Sequence, residues 1–153
     1  MKERIWNDEG YQRARKKIKD YHELYGQILR KDGFKTAEEL KQMLGSKVQG
    51  LAIQVRYYEL LKLSGKTVVK NKKMLLEQLD GIDLRDFGAR LVDVRIMLGV
   101  KLRTLAKHSG LNEDNLRRWE LHEYGDCPID KALKIAESLV GKRITFKLGQ
   151  EVI

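Results

Sequence analysis

Arginine is well suited to reading a base pair, because its guanidinium donates two parallel hydrogen bonds to O6 and N7 of guanine. Arg117 and Arg118 stand together in this chain behind Asn112, Glu113, Asp114 and Asn115, and the same stretch, Gly99 to Tyr124, also carries Lys101 and Arg103. Leu105 and Ala106, then Gly110, then Leu116 punctuate that stretch as two short helices folded across a glycine-containing turn. Such a helix-turn-helix lays a helix in the DNA major groove. Nothing else in the chain points to a specific chemistry.

Other chemistries find little footing. His22, His108 and His122 fall at no recurring metal spacing, and the single cysteine, Cys127, cannot build a zinc site. No phosphate-binding glycine loop and no GxGxxG fingerprint is present. The expectation is therefore a non-enzyme with no catalytic residue, metal or cofactor. One cysteine makes no internal disulfide, which suits a reducing cytoplasm, and Cys127 reads as a small, packed, unreactive residue. No run approaches the roughly 18 apolar residues of a membrane span, and Met1 to Trp6 lacks the apolar core of a secretory signal.

The elements that must position these side chains come next. The 153 residues fit one or two small domains, and 42% hydrophobic residues suffice for a packed core. The net charge of +9 is uneven: residues 1–70 hold 16 Lys/Arg against 9 Asp/Glu, whereas residues 71–153 hold 15 against 13. The basic excess thus lies mostly outside Gly99–Tyr124. It suits phosphate, an acidic protein or plain solubility.

Tyr11, Ala14, Ile18, Tyr21, Tyr25 and Ile28 recur at spacings of 3, 4, 3, 4 and 3, a heptad seam on a helix from about Asp8 to Lys31. Asn7 or Asp8 can cap it, and Asp32-Gly33 ends it. Thr36-Ala37-Glu38-Glu39 has capping-box spacing and restarts a helix. Leu44, Val48, Leu51, Val55 and Tyr58 carry that helix to Ser64-Gly65, with a break expected near Gly45. Two such helices pack antiparallel, and so short a hairpin needs further packing on the rest of the chain, a second copy or a partner.

Beyond it, Thr67–Val69 is β-branched and reads as a strand or linker, with a basic cluster at Lys70, Lys72 and Lys73. Met74–Leu79 reads as a helical turn, broken by Asp80-Gly81. Asp83 caps the following helix, and Asp86 favours its dipole. Four helices follow: Leu84–Leu98, Leu102–His108, Glu113–His122 and Ile129–Leu139. Ile144, Phe146 and Leu148 alternate with polar residues as a short strand that needs a partner, either Thr67–Val69 or its own copy in a second subunit. The expected organisation is a hairpin at 1–65, a linker at 66–82, the helix-turn-helix domain at 83–141 and a strand or tail at 142–153. The fold class is mainly all-α.

Leu91 to Leu139 resembles the Cro/lambda-repressor-like helix-turn-helix family, the xenobiotic-response-element class. The matching residues are Leu91, Arg95 and Gly99; Leu105, Ala106 and Gly110; Leu116, Arg118 and Glu120; then Pro128-Ile129 with Leu133, Ile135, Ala136 and Leu139. About a third of the chain is covered. The resemblance implies a lambda-repressor-like bundle in which Arg95 and Glu120 form a structural ion pair. It further implies that the exposed face of the second motif helix reads DNA. Here that face carries Glu113, Asp114, Arg117 and Arg118, with Asn112 at the cap and Asn115 beside them. Arg117 is the leading candidate for base contact. Glu113 or Asp114 either accepts from cytosine N4 or simply favours the helix dipole. Where the family commonly has glutamine at the start of the first motif helix, this chain has Leu102, which leaves Lys101 and Arg103 to contact the backbone. The paired acids repel phosphate, so favourable contacts are expected elsewhere, from Lys107, His122 or a second subunit.

These readings together point to a sequence-specific, repressor-like transcription regulator on double-stranded DNA, acting as a homodimer in the cytoplasm and on the nucleoid. The hairpin placed before such a domain also resembles antitoxin-type bacterial regulators. The alternative is accordingly an antitoxin that binds a small protein toxin through the hairpin, around Tyr57 and its basic face, and autorepresses its operon. A structural or RNA-associated role for the hairpin ranks below both, because aromatic stacking platforms are missing from the sequence.

Overall fold

The computed structural model describes residues 4–68, 73, 77–141 and 146–147. It is mainly helical. The helices are α1 (Asp8–Lys31), α2 (Phe34–Val68), α3 (Leu84–Met97), α4 (Leu102–Ser109), α5 (Glu113–Leu121) and α6 (Ile129–Val140), with short strands β1 (Ile82–Asp83) and β2 (Phe146–Lys147). The chain divides into two compact units, Met1–Leu60 and Leu61–Ile153. No helix among the described residues is long and apolar enough to cross a membrane.

In the first unit, the Asn7 side chain accepts from the Gly10 amide at 2.8 Å and starts α1. Gly33, at a φ of 86°, turns the chain into α2. Side-chain bonds run in antiparallel order along the pair. Tyr11 donates to Glu59 at 2.6 Å, Tyr58 to Asp8 at 2.8 Å, and Tyr25 to Glu38 at 2.9 Å. The rings of Tyr11 and Tyr58 stack at 5.4 Å. Tyrosine suits such a narrow seam, because its ring is apolar while its hydroxyl finds a carboxylate at the wet edge. Ala14, Ala37 and Tyr58 are buried there.

Helix α2 departs from the sequence reading in three places. It begins at Phe34, and Thr36 donates its hydroxyl to the Asp32 carbonyl rather than capping a later start. It is continuous through Gly45, whose missing Cβ would lie 3.9 Å from the Tyr21 hydroxyl oxygen and 3.4 Å from Lys41 Cγ. Packing against α1 there offsets the ~1 kcal/mol propensity cost of an interior glycine. It also runs through Thr67 and Val68, so the β-branched stretch is helical up to that point. Val69, Lys70, Lys72 and residues 74–76 lie outside the described residues; Lys73 is exposed.

In the second unit, α3 is buried at every position from Leu91 to Met97. That is why its sequence shows no clean polar face: α6 and the β1–β2 pair all pack on it. Helix α4 packs on both α5 and α6. Leu79, Leu91, Leu105, Leu116 and Ile135 are the largest fully buried apolar side chains. Near the end of α2, a Cβ on Gly65 would fall 1.9 Å from the Met97 carbonyl oxygen, so only glycine allows that approach. Within the chain, the C-terminal strand pairs elsewhere than with Thr67. Phe146 and Lys147 pair in parallel with Ile82 and Asp83. Thr67 was not available, because its backbone is committed to α2. Ile144 and Leu148 lie outside the described residues.

Candidate nucleic-acid interface

Local chemistry sets the α4–turn–α5 geometry. Gly110 closes α4 at a φ of 68°, a left-handed conformation that glycine adopts without steric cost. Asn112 then caps α5, its side-chain oxygen accepting from the amides of Asp114 at 2.9 Å and Asn115 at 3.2 Å. The cap uses the oxygen and leaves the side-chain NH2 for another acceptor. Leu116, Trp119 and Glu120 turn inward, whereas Asp114, Asn115, Arg117, Arg118 and Leu121 are exposed and Glu113 is half-buried.

A buried ion pair orients that face. Arg95 Nε lies 2.9 Å from each carboxylate oxygen of Glu120, and Arg95 Nη2 also donates to Glu120 Oε1. Arg95 Nη1 donates to the Val100 carbonyl at 2.8 Å. The two side chains are 7% and 2% exposed. With its bonds directed, the guanidinium ties α3, the Gly99–Val100 turn and α5 into one support. Burial and the neighbouring Glu120 carboxylate push the Tyr124 hydroxyl well above its ordinary pKa, so it stays protonated and faces Glu120 Oε2 at 3.5 Å.

On the outer face, Arg117 Nη2 meets Glu113 Oε1 at 3.1 Å, one turn apart, with the arginine 61% exposed. An exposed i,i+4 pair of this kind contributes only about 0.3–0.5 kcal/mol, so a nucleic acid can take the guanidinium from it. Arg118 follows Asp114 on the adjacent row and is exposed. Lys101 and Arg103 are exposed at the start of α4, and Lys107 is exposed near its end. His122 Nδ1 lies 3.3 Å from Asp126 Oδ2, turned towards a carboxylate.

Comparison with protein-family models, curated proteins and solved structures finds no match. The site therefore rests on its own geometry.

Three residues that support this face escaped the sequence reading. Glu123 and Tyr124 follow α5 with φ of 50° and 59°, an uncommon pair of left-handed non-glycine residues. Their turn is closed by the Tyr124 amide bonding the Trp119 carbonyl at 2.7 Å, and Tyr124 is buried. Gly88 on α3 makes room for it: a Cβ there would sit 1.9 Å from the Glu123 carbonyl oxygen. Trp119 is buried as well, and its place three residues after Leu116 is the sequence signal that marks the inward face. The Glu123–Tyr124 turn had no sequence signal, because neither residue type favours it.

Cys127 is half-buried, and burial, with Asp126 and Asp130 nearby, pushes its thiol up to about 11. A thiol so rarely ionised is a poor nucleophile. No group of three or more His, Cys, Asp or Glu able to hold a metal occurs among the described residues.

Proposed function

We propose that this chain is a sequence-specific DNA-binding transcription regulator, repressor-like, that presents α5 to the major groove. One observation carries the reading. Arg117 and Arg118 project outward from a helix whose opposite side is locked to α3 through the buried Arg95–Glu120 pair. A guanidinium can discriminate a base only when its backbone is held, since bidentate geometry is lost with small displacements. Arg117 and Arg118 read base edges; Asn115 and the Asn112 amide approach a base or a phosphate. Lys101 and Arg103 set the register against the backbone. Glu113, paired with Arg117, adds a penalty for phosphate, and Asp114 either favours the helix dipole or accepts from cytosine N4. Bound as a homodimer, the protein would read half-sites about one helical turn, roughly 34 Å, apart. On this reading the protein acts in the cytoplasm, on the nucleoid.

Selection from a random duplex library with the full chain tests the reading, followed by fluorescence anisotropy on the selected site. Wild type should enrich a defined motif. Arg117→Ala should relax one position of that motif at a cost of roughly 1–3 kcal/mol. No enriched motif, or an unchanged motif in both Arg117→Ala and Arg118→Ala, overturns it.

A further inference from the structure

Helix α2 carries a second heptad stripe besides the seam it shares with α1. Met43, Ser46, Gly50, Ile53, Tyr57 and Leu60 follow one another at spacings of 3, 4, 3, 4 and 3. All six are exposed, Met43 by 73% and Ile53 by 61%. The stripe borders a groove of about 800 Å3 between α1 and α2, whose walls include Leu24, Gly50 and Ile53. Exposed apolar residues scattered singly are ordinary, but Met43, Ile53, Tyr57 and Leu60 lie along one side of one helix with two small residues between them, which suits a packing face. Gly50 sharpens the point. Among the described residues, nothing lies within 4 Å of where its Cβ would stand, so the chain's own fold does not require glycine there. An exposed interior glycine weakens a helix, and it permits a close approach by another chain.

We propose that this stripe is the dimer interface, and that its occupant is the same stripe of a second copy, packed antiparallel. The order of side-chain sizes selects the polarity. In a parallel pair, Ser46 and Gly50 would face their own copies and leave the middle of the seam empty. In the antiparallel register, with the two-fold axis passing between Gly50 and Ile53, every bulky residue meets a small or flexible one. Ile53 seats over Gly50 of the second copy, Tyr57 over Ser46, and Leu60 beside Met43. The flanking residues agree. Lys47 falls opposite Gln54, and Arg56 opposite Gln49, so each cation meets an amide oxygen and no like charges oppose. Arg4, which lies 5.8 Å from the Tyr57 ring centroid, sits at the edge of the same face. This assignment goes beyond DNA reading and stands or falls without it.

The test uses the full chain. Wild type should be a dimer by light scattering coupled to size exclusion. Ile53→Glu should raise the dimer dissociation constant about 30-fold or more with unchanged helical circular dichroism, as expected for a central anchor. Gly50→Leu should weaken the dimer while helical content holds or rises, a combination that a folding defect does not give. Polarity is read by disulfide trapping in a Cys127→Ser background. A mixture of Met43→Cys and Leu60→Cys chains should cross-link, and neither chain alone should. A wild-type monomer, a dimer indifferent to Ile53→Glu and Gly50→Leu, or cross-linking of either cysteine variant alone overturns the proposal. So does a chain that is monomeric by itself and uses the stripe for a different protein, such as a toxin. Loss of DNA binding in Arg117→Ala without change in dimerisation would leave it standing.

Discussion

Arg117 and Glu113 are joined across one turn of α5, Nη2 to Oε1, at 3.1 Å. The acid holds the guanidinium in place and also repels the phosphates it would approach. An exposed pair of this type is worth about 0.3–0.5 kcal/mol, less than a bidentate contact to guanine at about 1–3 kcal/mol. Glu113→Gln should therefore tighten DNA binding severalfold and leave thermal stability almost unchanged. Anisotropy titrations at one fixed salt concentration check this; weaker binding by Glu113→Gln would instead assign the carboxylate a direct base contact.

Lys101 and Arg103 are exposed at the start of α4. A cation that neutralises one phosphate contributes about 0.9 to the slope of log K against log salt. Arg103→Ala should weaken binding to all sequences alike and lower the magnitude of that slope by about 1. Affinity measured across a salt series on the selected site and on a scrambled one checks it.

Arg95 and Glu120 are both buried, so removing one partner strands the other's charge away from water. Arg95→Met should cost about 3–5 kcal/mol in urea unfolding. A loss below 1 kcal/mol would show that Glu120 finds another partner or takes up a proton.

Gly88 faces backbone, not a movable side chain: its Cβ would lie 1.9 Å from the Glu123 carbonyl oxygen. Gly88→Ala should destabilise by about 1–3 kcal/mol, as overpacking does, and should weaken DNA binding by shifting the end of α5. Gly50→Ala, which meets nothing within its own chain, should not lower the stability of the isolated chain when both are melted at a concentration too low for dimer. Paired thermal melts compare the two.

Tyr11 and Tyr25 each donate to a carboxylate, and these bonds, to Glu59 and Glu38, raise the pKa of both phenols above the ordinary value. A raised phenol pKa gives stability that is complete below the unfolded value near 10 and is lost as pH rises through the folded one. The α1–α2 pair should therefore loosen above about pH 10. Tyr11→Phe with Tyr25→Phe should blunt that transition, followed by helical circular dichroism and tyrosine absorbance. At the acid end, Arg85 and its amide hold the Asp83 carboxyl at about 2. Its stabilising contribution is therefore complete above about pH 4 and is lost as pH falls to about 2. In Arg85→Ala, an NMR titration of Asp83 should return towards the ordinary value.

Caps, left-handed glycines and heptad spacing are local signals, and they located the ends of α1, α4 and α5 within a residue: Asn7, Gly33, Gly110 and Asn112 act on the few amides and carbonyls next to them. The inward Leu105 and Leu116 and the outward Arg117 and Arg118 were expected from the resemblance, and the burial of the two leucines and exposure of the two arginines agree with it. Only tertiary structure decided the rest. Whether Gly45 interrupts α2, whether β2 pairs with Ile82–Asp83, and whether Gly88 must be glycine all depend on which distant backbone arrives beside each residue. A local propensity of a kilocalorie or less is outweighed when such contacts form or close. The Glu123–Tyr124 turn is the clearest instance: two residues with no preference for positive φ are held there by the burial of Tyr124 and the space left by a glycine 35 positions earlier.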